Sequence, residues 1–428
     1  MKKNNLVSLW VLFSICLPVV SVAATAISDS PFPTDNDTDL AKRSNYIIVK
    51  KRHEPAQAKG IELGGFLFLP SLSLAEYHDD NIYATETNRQ KDSVTVISPN
   101  FTLKSRWSKH KLDINAGLDV ARYADLASEN TNDYWLGVSG RYDFSARQNV
   151  FGGLNYSREH EDRASPDAEA GDTPTKYDSY RAHLGHAFSF GNHRTRIAYT
   201  VNRLDYKNVT STSGVIDNSD RDRTEQALGL RYLYKYSPST ALFLDGVVDK
   251  REYNQTPDFS GNDRNSNGYR YSLGMQYVNS SNLLKVFAGS LARDYQSAAF
   301  EDQSAFDFGL DYTWKFGALS RLVVRSGRSI DETTFDNSSG YLMTNASARL
   351  QLGISGNKSL HIGAAKSIAD YYGIARTDDY YDYIVGYSQQ LRANLLISLD
   401  LQRSERDSDV AGSDYRINQI LLRVSGVI

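Results

Sequence analysis

Apart from Cys16 the chain has no cysteine, and that one lies in a leader-like segment. Lys2 and Lys3 precede an apolar run from Leu6 to Val22, broken near its end by Pro18. Ser21-Val22-Ala23 then offers small residues for cleavage before Ala24. This layout reads as a secretory signal peptide over residues 1–23. Ile15 is bulky where a lipoprotein signal carries a small residue, which argues against lipid attachment at Cys16. The mature chain is therefore expected to have no disulfide and no thiolate chemistry.

Long hydrophobic runs are also missing. Beyond the leader no stretch approaches the ~20 apolar residues that a spanning helix needs. Charge of one sign is missing too: 48 Lys and Arg against 51 Asp and Glu give −3, and losing Lys2 and Lys3 takes this to −5. A mildly acidic chain carries no footprint for nucleic acid. Catalytic signatures are equally scarce. No G-x-S-x-G occurs. His183 and His186, three apart on a strand, point to opposite faces and make no metal pair. His160-Glu161-Asp162 sits at a strand–loop junction, where a solvated rim is the simpler reading than a general acid–base site. Asp79-Asp80-Asn81 lacks the ligand spacing of a dedicated Ca²⁺ loop and reads as a loop-capping cluster. The expectation is a protein that is not an enzyme, with no cofactor and no metal site.

What is present is alternation. Phe306, Phe308, Leu310, Tyr312 and Trp314 interleave with Asp307, Gly309, Asp311, Thr313 and Lys315. After a break at Gly317-Ala318 the pattern resumes around Leu322 and Val324. Successive strand residues face opposite ways, so each strand has one greasy and one polar face. Similar runs recur at Leu112–Val120, Leu242–Val248, Tyr269–Tyr277 and Leu395–Leu401, and 28 tyrosines and 29 glycines against ten prolines suit a large sheet. Short links fall at Ser108-Lys109-His110, Ser145-Ala146-Arg147, Gly191-Asn192, Ser237-Pro238, Ser280-Ser281, Gly317-Ala318, Gly356-Asn357 and Gln390-Leu391. Longer polar links, such as Arg163–Lys176, Lys207–Arg221, Asn254–Asn267 and Thr333–Ser339, lie between them. The fold class is an all-β transmembrane antiparallel up-and-down β-barrel of about eighteen strands over residues 60–428. Strands near Lys285 and Lys366 alternate poorly, which leaves sixteen as the other count. Residues 24–59 read as a polar, mostly unstructured periplasmic extension.

Aromatics mark the strand ends. Trp107, Phe144, Phe188, Phe190, Tyr234, Tyr236, Tyr277, Trp314 and Tyr387 lie near the short turns. Trp135, Tyr180, Tyr206, Tyr269, Tyr295, Phe306, Tyr341, Tyr371 and Tyr381 lie near the longer links. Two such girdles are expected at the headgroup levels of a bilayer. The polar faces carry Asp113, Asp119, Arg181, Arg196, Arg231, Lys235, Asp245, Asp249, Arg251, Arg270, Asp307, Asp311, Lys315, Arg321, Arg325, Arg349 and Asp400 as pore-lining candidates. They read either as cross-strand salt bridges holding a hydrated wall, or as a track that hydrogen-bonds sugar hydroxyls and acidic substituents.

Gly64-Gly65-Phe66, Pro70-Ser71-Leu72 and the run Tyr77-His78-Asp79-Asp80-Asn81-Ile82-Tyr83 resemble the opening of the putative β-barrel porin 2 family. Trp107-Ser108-Lys109-His110, Arg122-Tyr123, His160-Glu161-Asp162-Arg163-Ala164-Ser165-Pro166 and Pro174-Thr175-Lys176-Tyr177 continue the likeness over the first third of the chain. The motif residues that carry it are Tyr77, Asp79, Asp80, Asn81, Trp107, His110, His160, Arg163 and Pro166. The resemblance implies a Gram-negative outer-membrane barrel encoded with exopolysaccharide or capsule assembly systems. It implies a polysaccharide as cargo, and a periplasmic polysaccharide-export protein and an inner-membrane copolymerase as partners. An adhesion or binding barrel, and a general diffusion porin for small solutes, are the other readings.

Overall fold

The computed structural model describes residues 59–166 and 168–428. The signal peptide and all but the last residue of the N-terminal extension lie outside the described residues. A short β1 (Ile61–Leu63) folds back on the first long strand. The long strands begin with β2 (Phe66–Asp79), β3 (Asp92–Ser105), β4 (Lys111–Tyr123) and β5 (Thr131–Ser145). They continue with β6 (Gln148–His160), β7 (Lys176–Phe190) and β8 (His193–Tyr206). A small hairpin, β9 (Val209–Ser211) and β10 (Gly214–Ile216), decorates the next loop. Then follow β11 (Arg223–Lys235), β12 (Thr240–Tyr253), β13 (Ser266–Val278), β14 (Asn282–Tyr295) and β15 (Gln303–Lys315). The series ends with β16 (Arg321–Asp331), β17 (Gly340–Ser355), β18 (Lys358–Tyr372), β19 (Thr377–Arg392), β20 (Leu395–Ser408) and β21 (Tyr415–Val427).

Each long strand pairs antiparallel with its neighbours in sequence, and β21 pairs back on β2 from Ser71↔Val427 to Asp79↔Gln419. The result is a closed barrel of 18 strands, β2–β8 and β11–β21. Closure leaves no edge, which is what a sheet needs to satisfy its backbone in lipid. The strands around Lys285 and Lys366 are both present as β14 and β18, so the count of sixteen is excluded. Lys285 faces inward and is buried, which is why β14 alternates poorly when read for apolar residues alone.

Alternation settles which face meets lipid. Leu244, Tyr271, Leu273 and Phe306 are more than half exposed, while Asp307 and Arg251 on the opposite face are buried. Turns are tight at one end: Gly191 takes φ +54° between β7 and β8, a left-handed conformation that suits glycine. One turn differs from expectation. The β19–β20 turn lies at Ala393-Asn394, not Gln390-Leu391, because a register shift between Gln390 and Arg392 lengthens β19. An extra residue in one strand of a pair is the usual signature of a bulge. The other end carries the long loops. Bacterial barrels keep short turns periplasmic and long loops at the surface, so the loop end faces outward.

Every barrel strand but β16, at 13–16 residues, exceeds the ~9–11 that cross a bilayer. At the loop end the barrel has a core of its own. Tyr341, Met343, Tyr371, Tyr380, Tyr415 and Ile417 pack with Ala84 and Ala164, which come from two different loops.

Candidate functional site

Five aromatics expected in the loop-end girdle face inward instead. Trp135 lies over Gly117, where a Cβ would come within 1.9 Å of the indole, so only glycine fits beneath the ring. Tyr206, Tyr341 and Tyr371 are buried, and Tyr295 shares the inward parity of buried Lys285 and Arg293. The period of two decides this: Tyr206 is ten residues from Arg196, and Tyr341 eight from Arg349. Tyr180, Tyr269 and Phe306 keep the outward position. At the turn end Phe144, Phe190, Tyr234, Tyr236 and Trp314 are exposed, as an interfacial belt requires.

The pore-lining candidates lie on the inner face, and most are tied to one another. Arg231 holds Asp245 through two hydrogen bonds of 2.6 and 2.7 Å. Arg270 reaches across β14 to Asp307 at 2.7 and 2.9 Å. Arg325 lies 3.5 Å from Asp311, and Arg321 donates to Gln351 at 3.1 Å. Asp113 is 2.9 Å from Lys111, and Asp400 is 2.8 Å from the ring of His361. Asp249 is bound by Arg293, and Arg251 by Glu332. Arg196 sits opposite Arg231 in register and lies 4.8 Å over the Phe151 ring. Lys285 and Arg231 both approach the face of Phe243, at 5.2 and 5.5 Å. Arg181 stands in register with Asn155 and Asn202, Asp119 with Asp133, and Arg349 with Gly363. The inner wall is thus a lattice of cations laid along the strands against acids and phenyl rings. Lys235 is exposed at the turn end.

The motif residues divide between the two ends of the barrel. Trp107 packs its edge on Phe66 at 5.3 Å, and His110 stacks on Tyr142 at 4.2 Å, both at the turn end. The others gather at the loop end. Tyr77 packs beside buried Ala75 and Leu421. Asp79 accepts from the Asn81 amide at 2.7 Å and from Gln419 at 2.6 Å. Asp80 accepts twice from Asn418 at 2.7 Å. Asn81, fully buried, donates to Thr85 and Arg416 carbonyls at 2.8 and 3.0 Å. This cluster therefore clasps the first long strand to the last, across the closing seam.

His160, Arg163 and Pro166 belong to the loop that folds over the mouth. His160 lies 2.9 Å from Asp133. Arg163 grips Glu129 with two hydrogen bonds of 2.9 and 2.7 Å and donates to the Glu169 carbonyl at 3.2 Å. Pro166 is buried. Glu161, expected on a solvated rim, is 3 % exposed and ion-paired with Arg221 of the next loop. Two further groups escape sequence reasoning because their partners are remote in the chain. Arg264 donates to the carbonyls of Thr333, Phe335 and Ser338 at 3.0–3.2 Å while bonding Asp258 at 2.7 Å. Glu332 takes the Tyr253 hydroxyl at 2.7 Å and pairs with Arg251. Burial alone would raise the Glu332 carboxyl; Arg251, Arg293 and Arg223 override it and hold the group down to about 2.

Between the loops lies a cavity of about 210 Å³, lined by residues of the 161–175, 207–222, 254–265 and 332–339 loops. Among the described residues no group of three or more His, Cys, Asp or Glu is arranged to hold a metal ion.

A closed 18-strand barrel with an apolar exterior, a polar inner wall and loops folded over one end defines an outer-membrane porin-type barrel. The family model described as Putative beta-barrel porin 2 matches residues 54–426, and the chain belongs to that family. Solved structures with a similar fold include the outer membrane protein opdK from Pseudomonas aeruginosa, at 12% identity and TM-score 0.46 over 84% of this chain and 98% of that one. Acinetobacter baumannii OccAB4 is similar at 11% identity and TM-score 0.47, over 87% and 99% of the two chains. The siderophore receptor PirA from Pseudomonas aeruginosa is similar at 8% identity and TM-score 0.42, over 84% and 80%. No curated protein matches the chain.

Proposed function

We propose that this porin passes exopolysaccharide or capsular polysaccharide to the cell surface, fed by a periplasmic polysaccharide-export protein and an inner-membrane copolymerase. The observation that carries this reading is the covered mouth. The β6–β7 loop is fastened to the β4–β5 and β8–β11 loops by the buried ion pairs Glu129–Arg163 and Glu161–Arg221. The β16–β17 loop is fastened to β12 by Glu332–Arg251 and to the β12–β13 loop by the Arg264 hydrogen bonds. A diffusion porin works with its mouth open. A polymer exporter has to stay shut until a strand arrives and then offer a polar track. Here Arg and Asp run down the wall, and such groups hydrogen-bond sugar hydroxyls. An adhesion barrel would use the same loops with the pore permanently closed.

Planar-bilayer conductance separates the three. The export reading predicts a small resting current that rises when Glu332→Gln loosens the cover, and a raised current that added polysaccharide then blocks. A large resting current indifferent to polysaccharide belongs to a diffusion porin. A current that stays closed in both proteins belongs to the adhesion barrel.

A further inference from the structure

The cavity among the mouth loops has a lining that selects by charge. Eight carboxylates and three guanidinium groups face it, an excess of five negative formal charges. Several acids are already neutralised: Glu161 by Arg221, Asp258 by Arg264, Glu332 by Arg251. Glu169 and Asp220 are not held in this way. Burial pushes the carboxyl of each above the ordinary range, with Arg221 opposing this at Glu169 and the Phe259 amide, Arg264 and Arg221 opposing it at Asp220. Aromatic surface is available beside them. It is supplied by Phe259, 57 % exposed, since the faces of Tyr206 and Tyr253 in the wall are occupied by the guanidinium groups of Arg221 and Arg223.

We infer that this cavity is a subsite for one non-acidic pyranose unit, with carboxylates accepting from its hydroxyls and an aromatic face against its C–H surface. The inference rests on the export reading and narrows its cargo. Pockets for drug-sized ligands run to ~300–1,000 Å³. At about 210 Å³ this one is sized for a single ring. Carboxylates accept two or more hydrogen bonds each, and hydroxyl-to-carboxylate bonds are among the stronger ones. A uronic acid would bring a further negative charge to an already acidic wall, where like charges repel. An amino sugar would bring a positive one. The inner wall below is rich in arginine, so the mouth and the lumen discriminate differently, and the mouth sets the limit.

The test is titration of the detergent-purified full chain with three hexasaccharides: neutral maltohexaose, cationic chitosan hexamer and acidic oligogalacturonate, followed by calorimetry. Maltohexaose and the chitosan hexamer should bind, the latter more tightly at low salt, and oligogalacturonate should not. Glu169→Gln with Asp220→Asn should weaken maltohexaose about tenfold, the loss expected for charged acceptors replaced by neutral ones. Phe259→Ala, at an exposed position outside the barrel, should weaken it as well and covers the case in which the double variant misfolds. Oligogalacturonate binding as well as maltohexaose, or full binding by the Phe259 variant and a folded double variant, overturns the subsite. Failure of the export reading looks different: a deletion strain would display its polymer normally, whatever the oligosaccharides do.

Discussion

Replacing Glu332 by Gln should unfasten the mouth without unfolding the barrel. Arg251 is 1 % exposed and Glu332 is its carboxylate partner; the Ile330 carbonyl, at 3.0 Å, is a neutral acceptor. Breaking a buried pair by removing one partner costs about 3–5 kcal/mol, since the other charge stays buried. The titration behaviour gives a similar size. A carboxyl ordinarily near 4.5 is held to about 2, and that displacement corresponds to roughly 3 kcal/mol. Because the folded value is depressed, the contribution is fully present above pH ~4.5 and is lost as pH falls towards ~2. The cost falls on the cover: the amides of 333–339 should lose about a hundredfold or more of hydrogen-exchange protection at neutral pH. Amides of β12 and β13 below them should keep theirs. Wild-type protein should show the same loosening only under strong acid. Unchanged protection at 333–339 in the variant would refute the reasoning, and so would uniform loss through the strands.

Three further outcomes are expected. Leu273→Arg, at mid-strand on the lipid face, should destabilise the barrel by about 2–4 kcal/mol in folding titrations with lipid vesicles; full tolerance would reverse the face assignment. Asn81→Ala should strip a buried donor from the Thr85 and Arg416 carbonyls, at about 1–3 kcal/mol for each group left unsatisfied. It should lower the temperature of the heat-induced gel-mobility shift, and no change there would mean that the seam does not depend on this clasp. An epitope tag in the 254–265 loop should be reached by antibody on intact cells and one at Gly191-Asn192 should not; the opposite pattern would invert the topology.

Much of the wall was legible because a period of two needs no partner to be seen. Phe306 to Lys315 announces both faces of β15 on its own, and Gly191-Asn192 announces its turn. The inward aromatics were legible as well, but proximity to a strand end is the weaker guide. Counting by twos from Arg196 to Tyr206, or from Lys285 to Tyr295, places both rings inside. The Gln390-Leu391 turn was misplaced because a bulge adds a residue that no local residue type advertises. The mouth was hidden for another reason. Arg264 meets carbonyls about 70 residues away in sequence, Glu332 meets Arg251 81 residues away, and Ala164 meets Tyr415 across the seam. Such pairs are set by closure of the barrel, which local pattern does not encode. The first-third motif pointed at some of these places, since Asn81, His160 and Arg163 all lie at the loop end, but it gave no hint that they fasten seam and cover.

The central claim is passage of polysaccharide, and the most direct measurement is surface polymer on cells from which this gene has been deleted and then restored. Export predicts that surface polysaccharide falls, that polymer persists in the periplasm or cell interior, and that the intact gene restores display. Wild-type display in the deletion strain, with no second barrel of the same family substituting, would contradict the claim and leave an outer-membrane porin of another cargo.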